Sequence, residues 1–412
     1  MLAPAMSPEL AYVALLFALF VVPKALQRFR IPAAITSLAL GAAASRVDVF
    51  VGDPTVGLLA TLGITGLFLF AGLDVDLGEL RRGAGVVAQH VLIQAALVTA
   101  AVLLLAAAFE LPWRPATLVC LAVLTPSTGF ILDSLPTFGL DERQAFWTRT
   151  KAVASELVAL AALFVVVQSS SPLRLLASSA ALLALIALIP VVMRAFASAV
   201  APYAPRSEFA FLVMLGVLAA YATRHLGVYY LVGAFLVGIA ARQFRRRLPA
   251  FSSDRLVHAV EVFASFFAPF YFFNAGAHLQ PEVLGPASFL VGLGFFVVLI
   301  PVRVATVAAH RRVALGEPLR KGARVATALV PTLVFSLVLA ELASRFDAPA
   351  YLVGGIVVYA VANTMLPAIA FGVLPAFDAP HAGGAAGDLA AQPPGDPAPG
   401  VAAATAAEGP QG

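Results

Sequence analysis

The chain has 412 residues, of which 61% are hydrophobic and only 12% charged, with a formal net charge of +4. Soluble domains run at about 45–50% apolar and about 25% charged, so a soluble core is excluded and the natural solvent for this chain is lipid. No Lys/Arg run with interleaved aromatics suggests a nucleic-acid surface, and one cysteine, Cys120, allows neither a disulfide framework nor a thiolate metal site.

The N-terminal run from Met1 to Val22 has no Lys or Arg before it, and Pro23 and Lys24 follow it. A cleaved signal peptide would carry its charge first, so this helix is expected to stay, with its N-terminus outside. At roughly 20 apolar residues per crossing, thirteen spans are predicted near 8–27, 31–45, 55–76, 84–109, 115–135, 145–168, 173–200, 206–224, 227–243, 257–276, 284–309, 322–345 and 350–376. Charge asymmetry agrees with that number. The predicted inner loops hold Lys24, Arg28 and Arg30; Arg81 and Arg82; Arg143; Arg206; Arg242, Arg245, Arg246, Arg247 and Arg255; and Arg311, Arg312, Arg320, Lys321 and Arg324. The predicted outer loops hold at most one each: Arg46, Arg114, Arg174, Arg224 and Arg345. Basic loops stay on the cytoplasmic side, so a multi-pass protein with its C-terminus in the cytoplasm is expected. From Asp378 onward the chain is Gly/Ala/Pro-rich without aromatics and is expected to be a disordered cytoplasmic tail, with no length left for a nucleotide-binding domain.

Charges at mid-membrane are expensive and are functional by default. Nearly every Asp and Glu falls in a loop, in the tail or near a span end; Glu156 does not. It lies about 16 Å into the sixth span at about 1.5 Å per residue, next to Ser155. Its bland reading is a structural carboxyl paired with a neighbouring helix. Arg303, in the eleventh span, is the candidate charge partner, and the alternative for it is snorkelling to the interface. Snorkelling is also the expectation for Arg149 and Lys151. Six histidines (His90, His225, His258, His278, His310 and His381) show no i,i+4 pairing, so no metal cage is expected.

Two spans are interrupted by proline with flanking hydroxyls. The fifth holds Thr125, Pro126, Ser127 and Thr128, and the twelfth holds Pro331 and Thr332. Proline removes an amide and frees a carbonyl, so each helix is predicted to break there. An ordinary proline kink is the alternative for either one alone. A matched pair of breaks points to a binding site, with half-helix carbonyls available to a cation. Each broken span precedes one with central polar residues, Ser155 and Glu156 first, then Asn363 and Thr364, which suggests two inverted repeats over spans two to six and nine to thirteen.

Four stretches carry a family resemblance: "RIPAAITSLALGAAAS", "LGITGLFLFAGLDVDLGELRR", "YYLVGAFLVGIAAR" and "APFYFFNAGAHL", in order between Arg30 and Leu279. The second, an apolar run meeting Ala-Gly-Leu-acid-x-Asp and then basic residues, is the most specific. The chain resembles the monovalent cation:proton antiporter-2 family, the bacterial sodium/hydrogen exchangers and potassium-efflux antiporters. The resemblance implies an all-α membrane fold of thirteen helices, two inverted repeats and paired discontinuous helices, assembled as a homodimer. It divides the chain into dimerisation-bundle helices 1–3 (1–82), core helices 4–6 (83–168), linker helix 7 (169–205), dimerisation-bundle helices 8–10 (206–279), core helices 11–13 (280–377) and the tail (378–412). It also implies that an acidic pair on the sixth helix lies beside the crossed breaks, approached by a basic residue on the eleventh. Here the pair position reads Ser155-Glu156, a departure from the family pattern, and Arg303 stands at the basic position. Where many relatives carry Arg-Gly-Glu, this chain has Thr332, Leu333 and Val334.

The expected function is exchange of H⁺ for Na⁺ or K⁺ by alternating access, with no cofactor. Glu156 would bind a proton or a cation but never both, among the oxygens of Thr125, Ser127, Thr128, Ser155 and Thr332. One titratable group makes one-for-one electroneutral exchange the simpler expectation. The alternatives are a potassium-efflux antiporter regulated by a separate subunit and a transport-inactive membrane sensor. An enzyme is not expected, because the chain lacks Gly-x-Ser-x-Gly, His-Glu-x-x-His and paired intramembrane aspartates.

Overall fold

In lipid, a backbone must bond to itself, so long apolar stretches coil into helices. A computed structural model describes residues 7–204, 206–225, 231–244, 254–279 and 281–371; the expected tail lies outside the described residues. Within them the chain forms α1 (Pro8–Gln27), α2 (Ala33–Ser45), α3 (Pro54–Leu73), α4 (Leu77–Arg82), α5 (Ala84–Phe109), α6 (Trp113–Leu124), α7 (Thr128–Ser134) and α8 (Glu142–Gln168). There follow α9 (Pro172–Ala199), α10 (Glu208–His225), α11 (Leu231–Phe244), α12 (Asp254–Ala277), α13 (Pro286–Leu315), α14 (Leu319–Ala328), α15 (Leu333–Arg345) and α16 (Ala350–Phe371). No strand occurs among the described residues, and the expected all-α polytopic fold is the one the chain adopts.

Local signals set the helix ends. Asp53 precedes Pro54 and accepts from the Val56 amide at 2.9 Å, starting α3. Asp141 and Gln144 form a reciprocal capping box at the start of α8, with bonds of 2.8 and 3.1 Å. Among the described residues nine helices are long and apolar enough to cross a membrane, ten if α14 and α15 count as one bent span. The helices α2 and α11 are shorter, and α10 is not among the nine, so helix length does not establish the expected thirteen.

Two groups of helices pack mostly within themselves. In one, α12 lies against α3 and α2, and α3 also against α11 and α10. In the other, α13 packs on α16 and α14, α15 on α16 and α6, and α5 on α6 and α8. The helix α9 touches both α8 and α11. The first group is held at backbone contact by glycine. Gly72 of α3 faces Gly238 of α11: a Cβ on either would run into the partner's backbone, at Phe235 O and Leu69 O respectively. Gly41 of α2 and Gly276 of α12 sit against the carbonyls of Phe273 and Leu38 in the same way. Small residues that admit a neighbouring backbone are a common basis of helix association in membranes.

Candidate functional site

The second group is built around two interruptions. The helix α6 ends at Leu124 and α7 starts at Thr128; α14 ends at Ala328 and α15 starts at Leu333, bent by 54° from it. Each gap contains a proline, Pro126 or Pro331, whose ring forbids the regular ladder. The two gaps meet: the Ser127 amide donates to the Pro331 carbonyl at 2.8 Å. Two broken helices thus cross back to back, with both C-terminal ends and both N-terminal ends gathered in one place.

The C-terminal ends carry freed carbonyls and a partial negative charge. Arg303 of α13, buried at 8% exposure, answers them. Its Nη1 donates to Val330 O at 2.9 Å, Val123 O at 3.4 Å and the Tyr359 hydroxyl at 3.0 Å, and its Nη2 to Leu329 O at 2.9 Å. The Ser336 hydroxyl donates to Ala122 O at 2.6 Å, and Gln94 Nε2 to Leu124 O at 3.2 Å. Every carbonyl from Ala122 to Leu124 and from Leu329 to Pro331 therefore accepts from a protein donor. Side chains occupy these carbonyls except that of Pro331, which the Ser127 amide takes, and the Arg303 guanidinium is engaged by helix ends. Among the described residues no ion pair joins Arg303 to Glu156. The guanidinium fork reaches several acceptors at once, and they lie where two half-helices end.

The N-terminal ends offer amides instead. Glu156, 3% exposed and the fifteenth of 27 residues in α8, accepts from the Thr128 amide at 3.2 Å. In the other repeat, Asn363 Oδ1 accepts from the Thr332 amide at 3.2 Å, and Asn363 Nδ2 donates to Thr332 Oγ1 at 2.8 Å. Thr332 Oγ1 also accepts from Ser336 at 2.7 Å, so that hydroxyl is already engaged. Thr125, Ser127 and Thr128 are buried with Glu156 at the first break. Ser155, one residue from Glu156, turns its hydroxyl to His90 Nε2 at 3.0 Å.

Several polar residues here were not foreseen. Lys151, expected to snorkel, is fully buried and its Nζ lies 2.8 Å from His310 Nδ1. His310 Nε2 reaches Gln89 Oε1 at 3.2 Å, and the His90 and His310 rings stack with centroids 6.1 Å apart. Buried Gln144, Thr148, Lys151 and Ser155 stand at i, i+4, i+7 and i+11 on α8, a polar stripe along one helix face. That spacing is a sequence signal for a hydrated or bonded interior face, although it does not say what the stripe meets.

One cavity adjoins the crossing, and a second lies further along α15. The first, of about 30 Å³, is lined by His90, Ser155, His310, Pro126 and Arg303. The second, of about 420 Å³, opens between α3 and α12 on one side and α15 and α16 on the other, beside Thr61, Asn274, His278, Glu341 and Arg345. Among the described residues no group of three or more His, Cys, Asp or Glu could hold a metal ion.

Comparison with known proteins follows the same lines. No curated protein matches the sequence. A solved structure, the sodium proton antiporter MjNhaP1 from Methanocaldococcus jannaschii at pH 8, is similar with a TM-score of 0.61 at 15% identity, over 90% of this chain and 95% of that one. At that identity the likeness is one of fold. The family model described as "Sodium/hydrogen exchanger, transmembrane" matches residues 13–375, so nearly the whole helical bundle is covered, including both broken helices, Glu156 and Arg303. The chain belongs to the sodium/hydrogen exchanger family.

Proposed function

We propose that the protein exchanges protons for a monovalent cation, Na⁺ or K⁺, at Glu156. The observation that carries this reading is a single carboxyl, buried in the middle of its helix, whose hydrogen-bond partner is the Thr128 amide at the start of α7. A carboxylate held there by one amide and the positive end of a half-helix is available to a small ligand. Thr125, Ser127 and Thr128 supply nearby oxygens of the kind that suit a hard cation. Ser155 and Thr332, whose hydroxyls are engaged by His90 and by Asn363 with Ser336, support the site without joining the cation.

Coupling follows from electrostatics. A bare carboxylate at mid-membrane is costly to move across a low-dielectric barrier. Neutralised by either H⁺ or a cation, it can cross, and the two ligands exclude each other. The group α5–α8 with α13–α16 is proposed to move against the glycine-packed group, which is also proposed to make the homodimer contact. The 420 Å³ cavity between the two groups supports access from one end. The basic loops support assignment of the other end, with the C-terminus, to the cytoplasm of a bacterial inner membrane. One titratable carboxyl supports one-for-one exchange.

The test is cation-driven dequenching of a pH dye in proteoliposomes. Glu156→Gln keeps shape and hydrogen bonding but cannot ionise, and it should reduce exchange to the level of empty liposomes. Undiminished exchange removes Glu156 from the mechanism. Scanning Li⁺, Na⁺ and K⁺ with and without an imposed voltage identifies the cation and checks electroneutrality.

A further inference from the structure

We propose that Lys151 and His310 form a second proton-binding site, on the side of the basic loops, through which protons reach and leave Glu156. The proposal rests on the reading of Glu156 given above. Lys151 Nζ and His310 Nδ1 are 2.8 Å apart, and both side chains are buried. An ammonium only donates, and a doubly protonated imidazole only donates. Two such groups cannot bond to each other, so at this spacing one of them must lack its proton. At this spacing the pair holds at most one excess proton between two nitrogens.

The acid whose field reaches Lys151, Glu317, is already committed to arginine. From α5 the pair faces Gln89 and His90, and from α13 Arg303 and Arg311. Gln89 Oε1 accepts from His310 Nε2 at 3.2 Å, which leaves Nδ1 free to accept from Lys151. The nearest acid on the basic side, Glu317, is bonded to Arg311 Nε at 2.9 Å and paired with Arg143 at 3.2 Å. Asp141, at the start of α8, pairs with Lys321 at 3.5 Å. Among the described residues no carboxylate lies within ion-pair distance of Lys151. A structural ammonium buried without a carboxylate is poor economy, whereas a proton held between an amine and an imidazole is mobile.

The route onward is short. His310 and His90 stack with an interplanar angle of 16°, and both line the cavity of about 30 Å³ that extends to Ser155, Pro126 and the first helix break. That volume has room for ordered water between polar walls. In the proposed step the pair releases its proton into this cavity as the cation leaves Glu156. The carboxylate takes up one proton, and the pair then rebinds one from solution on the basic side. Only N–H and O–H bonds are exchanged.

The experiment compares wild type, Lys151→Met, Lys151→Arg, His310→Gln and Glu156→Gln in proteoliposomes, with correct folding verified by thermal unfolding. Lys151→Met removes the charge, while Lys151→Arg keeps it and cannot titrate, so at least one keeps the test open if the other does not fold. The folded Lys151 and His310 variants should lose maximal exchange by about 10²-fold, the low end of what a positioned proton-transfer group contributes, with the Na⁺ KM unchanged. Their rate should keep the pH dependence set by H⁺ competition at Glu156 but depart from the wild-type profile between about 5 and 8, where imidazole changes charge. Wild-type turnover and pH profile in any folded variant of the pair overturns the relay while leaving Glu156 in place. Exchange that survives in Glu156→Gln sinks the carboxylate reading itself.

Discussion

The two repeats solve the same problem with different chemistry. Each presents the N-terminal end of a half-helix to a residue on the following helix: Thr128 to Glu156 across 28 positions, and Thr332 to Asn363 across 31, each at 3.2 Å. One acceptor is a carboxyl, which can lose or gain a proton; the other is a carboxamide, which cannot. Asn363 has an NH₂ group to return to Thr332 Oγ1 and so closes its own network, whereas Glu156 has oxygen alone. The closed end supports structure, and the open end is the one proposed above to take the exchanged ion. On that proposal a fold with two matched breaks holds a single exchangeable site, because one atom type decides which break is satisfied internally.

This contrast can be broken at graded cost. The largest loss of stability is expected from Arg303→Gln, which abandons carbonyls at both C-terminal ends. Hydrogen bonds from a charged donor are worth about 1.5–3 kcal/mol each, and several are lost together, so the purified protein should unfold well below wild type. Lys in place of Arg303 should recover only part of that, having no planar fork. If Arg303→Gln unfolds at the wild-type temperature, the guanidinium is not what holds the crossing. Asn363→Ala comes next. It leaves the buried Thr332 amide without its acceptor, for about 1–3 kcal/mol, yet should retain cation-driven exchange. Glu156→Gln should do the reverse, abolishing exchange at little cost in unfolding temperature. Equal loss of transport in both would erase the distinction between the two ends.

The smallest effect is expected at an N-cap outside the membrane span. Asp53 accepts from the Val56 amide at 2.9 Å and from the Tyr12 hydroxyl at 2.8 Å. The Val56 hydrogen bond, with a lesser one from Tyr12, holds its carboxyl below the ordinary carboxylate range. The folded form therefore binds its proton less readily than the unfolded one. The cap contributes fully above about pH 4, the unfolded value, and its contribution fades as pH falls through the lower folded value. Asp53→Ala should cost about 1 kcal/mol near neutrality, and the gap from wild type should close on acidification. A gap independent of pH would mean that the carboxylate is not the source.

Much of this was readable in the amino-acid order because it is local. The prolines at 126 and 331 break helices through their own rings, and α6/α7 and α14/α15 separate at those positions. The four stretches that resemble the exchangers contain Gly41, Gly72, Gly238 and Gly276, the residues at which helices meet backbone to backbone. Their spacing is visible in sequence because a missing Cβ is a property of one residue. Glu156 was visible for a similar reason, as an acid far from either end of an apolar run.

What stayed hidden depends on partners distant along the chain. Arg303 finds carbonyls 26, 27 and 180 positions away, and Lys151 finds His310 across 159. A helical wheel says that such a side chain faces inward or outward but not what it meets there. Hydropathy and proline were enough to specify a membrane bundle with two interruptions and one stranded acid. Folding settled which end of each interruption is neutralised and by whom, since freed amides and carbonyls take whichever donors and acceptors packing brings within about 3 Å.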